Sequence, residues 1–336
     1  MKPKTFVMIA LAAVASGVAA AAVYSTNNQW DQGQIGGEAL IPGLATGKPF
    51  NAVVVSREGK TLTLQSRPNN EWVIKERSDY PANGDKIRAL LVKVALAQLV
   101  EAKTRMPDRH ALLELEDPSA KDAKSRALKI LSGSDVVADL VIGKRRWEAF
   151  GSGKSGTYVR KAGETQTWLA NADLDFNADV RSWIEPAVFQ TDSAKIQSLA
   201  IDIPGEETLR VERNASENKV AFVGLPEDAK LKDTTAADAL LRAAASIDAD
   251  DVRKLEGEPS GEVSTVAFTT SDGLEVKLRV RKDGDDHWLS VAASGDGDAK
   301  ASADDIRGKT GGWEFKISST KAGALLKRRA DLIESS

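Results

Sequence analysis

The sequence predicts an α+β protein: two tandem repeats of antiparallel sheet plus helix, preceded by one N-terminal transmembrane helix. Three observations carry that expectation. An uncharged run from Thr5 to Val23 follows Lys2 and Lys4, and no other basic residue occurs before Lys48. Beyond it, apolar residues alternate at period two over short stretches, interrupted by segments of helical period. The order of those stretches then recurs after roughly 150 residues, as an internal duplication would produce.

The first element is the apolar run. Its 19 residues would span about 28 Å as a helix at ~1.5 Å per residue, enough for a ~30 Å hydrocarbon core. The lysines before it place the N-terminus in the cytoplasm and everything after Val23 across the membrane. Eight of the 19 residues are alanine, and Ala19 to Ala22 would also offer small-residue cleavage sites for a signal peptidase. No polar stretch separates this block from Tyr24, so residues 1–24 read as a retained anchor. Both readings export the rest of the chain. With no cysteine present, a lipoprotein anchor is excluded.

Residues 25–49, rich in Asn, Gln and Gly, read as a flexible spacer. The first repeat then occupies residues 50–192. Val53-Val54-Val55 and Leu62-Thr63-Leu64 flank the turn Glu58-Gly59-Lys60, and Glu71 to Ile74 reads as a third strand. Tyr80-Pro81-Ala82-Asn83 ends extended structure and caps a helix bearing Ile87, Leu90, Leu91, Val94 and Leu99. A meander follows: Ala127–Leu131, Val136–Ile142, Thr157–Arg160 and Thr167–Ala170. The second repeat, residues 193–336, repeats this order. Ser198–Ile203, Thr208–Val211 and Val220–Val223 precede a helix near Thr234–Ile247, and then come Val263–Thr269, Leu274–Val280 and His287–Val291. An amphipathic helix over Thr320–Ile333 closes the chain.

Composition narrows the function classes. A formal net charge of −3 with mixed signs argues against a nucleic-acid binder, which would show a basic field. Without cysteine there are no disulfides and no thiolate chemistry. Two histidines, His110 and His287, are too few for a histidine-rich metal site.

The motifs that invite chemistry read better as structure. Gly151-Ser152-Gly153-Lys154-Ser155 suggests a phosphate loop, but Glu148 stands where its first glycine belongs. A strand pattern, Thr157 to Arg160, follows where a helix is required. A hairpin turn is the expectation, with no nucleotide and no cofactor. His110, near Glu114, Glu116 and Asp117, lacks a second histidine at metal-ligand spacing and reads as a solvated loop. Asp283-Gly284-Asp285-Asp286 and Gly295-Asp296-Gly297-Asp298 are too short for calcium loops and read as turns. No nucleophile elbow lies between a strand and a helix. Of the seven tryptophans, Trp72, Trp168 and Trp288 lie in alternating strands and are expected in the core. Trp147 follows Lys144-Arg145-Arg146 and is expected to be exposed. Trp147, Arg145 and Arg146 are therefore the candidate partner-binding residues.

Trp72, Tyr80-Pro81-Ala82, Leu90-Leu91, Ile142-Gly143, Thr157-Tyr158-Val159-Arg160, Ser182-Trp183-Ile184 and the segment Lys321 to Lys327 form an ordered set. Over Asn51–Glu334 that set resembles the domain of unknown function 4340 (DUF4340) family. The resemblance implies a bacterial protein with one membrane segment in the inner (cytoplasmic) membrane and its bulk in the periplasm, working beside a gliding-motility-type ABC transporter. It carries over no catalytic, cofactor or metal residues. The expected function is a membrane-tethered, non-catalytic binding or accessory protein, held in the membrane by Thr5–Val23 and partnered by ABC transporter subunits. The alternatives are an exported carboxylate-dependent hydrolase of envelope polysaccharide and a ligand-free envelope scaffold.

Overall fold

The computed structural model describes residues 37–45, 47, 49–214, 219–225, 229–257 and 261–334. Thr5–Val23 and residues 25–36 of the expected spacer lie outside these residues. Among the described helices none is long and apolar enough to cross a membrane. The fold is α+β and dominated by antiparallel sheet, as the alternating stretches predict.

The chain forms two compact units and crosses between them at 61/62, 86/87 and 177/178, where the sequence suggested a single boundary at 192/193. The first unit opens with β1 (Glu38–Ala39) and β2 (Ala52–Arg57). Strand β3 (Lys60–Ser66) carries the chain into the second unit for β4 (Trp72–Ile74) and β5 (Tyr80–Ala82). Helix α1 (Gly84–Leu96) returns it to β6 (Gln98–Ala102), β7 (Arg126–Ser132), β8 (Asp135–Arg146), β9 (Gly156–Lys161) and β10 (Thr167–Ala170). The second unit resumes with β11 (Ala187–Gln190), β12 (Ile196–Asp202), β13 (Leu209–Asn214), β14 (Lys219–Val223), α2 (Ala236–Ala245), β15 (Ser246–Asp248) and β16 (Asp251–Lys254). It ends with β17 (Val263–Thr270), β18 (Glu275–Asp283), β19 (Asp286–Ser294), α3 (Lys300–Thr310), β20 (Trp313–Ile317), α4 (Ser319–Leu325) and α5 (Arg329–Leu332).

In the first unit the strand order is β1-β6-β10-β9-β8-β7-β2, while β3, β4 and β5 pair in succession. In the second it is β14-β13-β12-β17-β18-β19-β20-β16. The same rule generates both. A strand that starts a hairpin (β2, β12) lies beside the first strand of the meander (β7, β17). The meander runs through four neighbours, and a strand that follows the helix (β6 directly, β16 after the short β15) pairs with its last member (β10, β20). All these pairings are antiparallel, and period-two alternation buries one face of each sheet. Val53, Val55, Leu128, Ile130, Leu140 and Ile142 are buried in the first unit, and Leu199, Ile201, Val266, Phe268, Leu278 and Phe315 in the second. Helix α2 packs its buried Leu240 and Leu241 toward β12 and β14, and α3 packs against β19.

Local chemistry explains the helix boundaries. The Asn83 side chain accepts from the backbone N–H of Asp85 at 3.1 Å and of Lys86 at 3.2 Å, the cap expected there. Ile87, Leu90, Leu91 and Val94 are the buried stripe. Leu99 is not part of it. The helix ends at Leu96, and Leu99 lies in β6, buried opposite Glu38 of β1. The expected spacer therefore already holds structure at Glu38, and Leu40, Ile41 and Leu44 are buried. The predicted C-terminal helix is two short ones. Ile333 leaves helical geometry to bridge Leu231, with the Lys232 N–H donating to the Leu332 carbonyl at 2.9 Å, so strand-like pairing ends the helix.

Candidate functional site

The outward face of the second sheet is where the register gathers exposed polar residues. Three rows cross it. Glu212, Ser198, Thr269, Glu275 and Ser294 stand side by side in the first, and Arg210, Ala200, Ala267, Lys277 and Ala292 in the second. The third runs Asp202, Thr265, Arg279 and Ser290. Small side chains on β12 and β17 make a floor two strands wide. Long charged side chains on β13 and β18 make its walls. With strands ~4.8 Å apart the walls rise about 14 Å from each other, and successive rows lie about 7 Å apart along the strands. The result is an open trough of about 690 Å³.

Its charge is banded. At one row both walls are acidic, Glu212 and Glu275; at the next both are basic, Arg210 and Lys277. The Ser294 hydroxyl donates to Glu275 at 3.2 Å. Among the described residues Arg210, Glu212 and Lys277 have no ion-pair partner. Fields from like charges on two walls add over a floor between them, so each of these two rows presents one sign to whatever lies there, while the third row mixes Asp202 with Arg279.

Toward β20 the same face closes. Glu314 is 1% exposed and accepts from Arg281 at 2.7 and 2.6 Å and from Arg253 at 2.9 Å. The Arg253 guanidinium lies 3.8 Å over the Trp288 ring and donates to Asp283 at 2.8 Å. Burial pushes the Glu314 carboxyl up, but the hydrogen bonds and charges of Arg281 and Arg253 outweigh it and hold it below its ordinary value. Such a cluster resists rearrangement, because removing one partner would strand a buried charge. It fixes β16, β18 and β20 beside the trough.

The counterpart in the first unit is lined by Ser56, Ala127, Asp139, Val141 and Arg160 and is smaller, about 450 Å³. It is overhung by the segment between β6 and β7. Leu115 is fully buried, and Arg160 donates to its carbonyl at 3.2 Å. His110 is not a solvated loop residue: it is 6% exposed and its Nε2 pairs with the Thr165 carbonyl at 2.9 Å. A Cβ at Gly143 would meet the Leu113 carbonyl at 2.2 Å, so the overhanging segment fits only over glycine.

Trp147 is exposed, at 70%. The structure brings Arg145 to it, with the guanidinium 3.5 Å over the indole ring. Arg145 is also held by Asp173 at 3.1 Å and donates to the Ser155 hydroxyl at 3.1 Å. Arg146 instead pairs with Glu101 at 3.9 Å. The three candidate residues are thus a stacked pair plus a neighbour aimed elsewhere. Trp288 is in the core, while Trp72 and Trp168 are half-buried. Residues 151–155 form the turn between β8 and β9, with Gly151 and Gly153 at positive φ and the Lys154 N–H donating to the Gly151 carbonyl at 3.0 Å. Gly284-Asp285 is a two-residue hairpin turn between paired Asp283 and Asp286. Among the described residues no three His, Cys, Asp or Glu side chains gather to hold a metal.

These units, each an antiparallel sheet with helices and an outward polar face, define an α+β protein that carries a charged trough on its second sheet. The chain belongs to the DUF4340 family: the model described as "Domain of unknown function (DUF4340)" matches residues 72–263, from the start of β4 to the start of β17. No curated protein and no solved structure matches the chain.

Proposed function

We propose that this protein is a membrane-tethered, extracytoplasmic binding protein that works non-catalytically beside an ABC transporter, and that the trough of the second sheet is its binding surface. The trough is the observation that carries the reading, because it sets a broad floor of small residues between charged walls on which Arg210, Glu212 and Lys277 have no ion-pair partner among the described residues. The apolar run after Lys2 and Lys4 supports the tether and an inner-membrane location with the bulk in the periplasm. Membership of the family, together with the association its resemblance implies, supports the transporter. The shared strand order of the two halves supports reading the chain as a tandem duplication, one copy of which kept its outward face open.

The test is a mild-detergent pull-down of the tagged full chain from native membranes, compared with Ala267→Trp, which fills the floor. The reading predicts transporter subunits with the wild-type protein and their loss with the variant. Equal recovery from both, or a bait without stoichiometric partners, would overturn it.

A further inference from the structure

We propose that the trough takes an extended polypeptide segment carrying opposite charges two residues apart, laid parallel to β12 and β17. The inference deepens the binding reading above and rests on it. Its source is the register. Glu212 and Glu275 face each other across one row, Arg210 and Lys277 across the next, with Ser198, Ala200, Ala267 and Thr269 between them. A ligand on that floor meets a negative band and a positive band about 7 Å apart. In an extended chain, side chains i and i+2 point the same way and are separated by that same distance. A segment reading acid-x-base therefore places its carboxylate between Arg210 and Lys277 and its cation between Glu212 and Glu275.

Other ligand classes fit less well. Nucleic acid carries one sign of charge and would meet the acidic band. Among the residues lining the trough the aromatic one, Phe268, is buried beneath the floor, so no ring is presented on which a sugar could stack. A uniformly charged helix would match one band and oppose the other. The floor supplies small side chains and hydroxyls, which let a backbone approach closely without demanding particular side chains above it. Affinity would come from area, and direction from the bands.

The experiment is selection of a phage-displayed library of 12-residue peptides against the full chain in mild detergent. Affinities of the enriched peptides are measured for wild type, Arg210→Glu/Lys277→Glu and Arg210→Ala/Lys277→Ala. The proposal predicts enriched peptides with opposite charges at i and i+2, a loss of at least roughly tenfold in affinity with the reversed walls, and a smaller loss with the alanine pair. All four substitutions are at exposed positions, and circular dichroism checks that each variant folds. Enriched peptides lacking that charge pair, or binding unmoved by the wall changes, would overturn it. Concentration-dependent self-association abolished by Ala267→Trp would also overturn it, by assigning the face to a second copy. If transporter subunits depend on Ala267 but not on the wall charges, the peptide inference fails while the binding reading stands.

Discussion

The outward faces of the two sheets make an instructive pair. Both are built by the same strand order, yet one is overhung by the segment between β6 and β7, while no described connection crosses the β12–β18 part of the other. In the first unit the chain between β6 and β7 spans residues 103–125 and lays Leu115 and His110 down as buried residues. In the second the link from β16 to β17 spans only residues 255–262. The side chains beneath have followed. Under the overhang β8 offers Val141 and then Gly143, which leaves room for the Leu113 carbonyl. In the open unit the floor carries alanine, serine and threonine between charged walls. Shared topology thus fixes where a face can exist, and the length of one connection decides whether it is occupied by the chain itself.

Two substitutions would break or sharpen this comparison. The larger effect is expected at Glu314. Glu314→Ala removes the shared acceptor of Arg281 and Arg253, leaving Arg253 with Asp283 and Arg281 without its bidentate partner, and should cost about 3 kcal/mol of stability, read from urea melts by circular dichroism. The linkage has a definite sign. A carboxyl held below its ordinary value stabilises the fold above the unfolded-state value, and that contribution disappears as pH falls through the folded one. Wild type should therefore lose stability below about pH 4.5 more steeply than Glu314→Gln. Parallel pH profiles for the two would remove Glu314 as a determinant of the open unit. The smaller effect is expected at Gly143. Gly143→Val drives a side chain into the Leu113 carbonyl and should cost about 1–3 kcal/mol, with hydrogen exchange accelerated in residues 107–116. Unchanged protection there would mean that the overhang does not depend on this close approach.

Much of the fold was legible because it rests on local periodicity. The hairpin around Glu58-Gly59, the Asn83 cap, the stripe from Ile87 to Val94 and each single strand of the meander from β7 to β10 announce themselves within about a dozen residues. Elements decided by distant partners were not. Leu99 continues the helical period of α1, yet pairing with β1 and β10 claims it for β6. Helix α3 has a narrow apolar stripe, Ala303 and Ile306 amid Asp304, Asp305 and Arg307, too thin to read without β19 against it. Burial of His110 likewise depends on the Thr165 carbonyl 55 residues away. The trough left a trace that reads only in retrospect. Ser198-x-Ala200 and Ala267-x-Thr269 alternate small residues, while Arg210-x-Glu212 and Glu275-x-Lys277 alternate charge. Their alignment into bands is a property of cross-strand register, which no single strand encodes. Trp147 was the stronger signal in sequence because an exposed indole beside arginines is visible without any register at all.

The most direct measurement places a photo-crosslinking residue at Ala267, on the open floor, and separately at Ala127, on the overhung face of the first unit, in the full chain in native membranes. The account predicts a discrete adduct with a transporter subunit from position 267 and none from position 127. Adducts from both positions, from neither, or from 127 alone would contradict it.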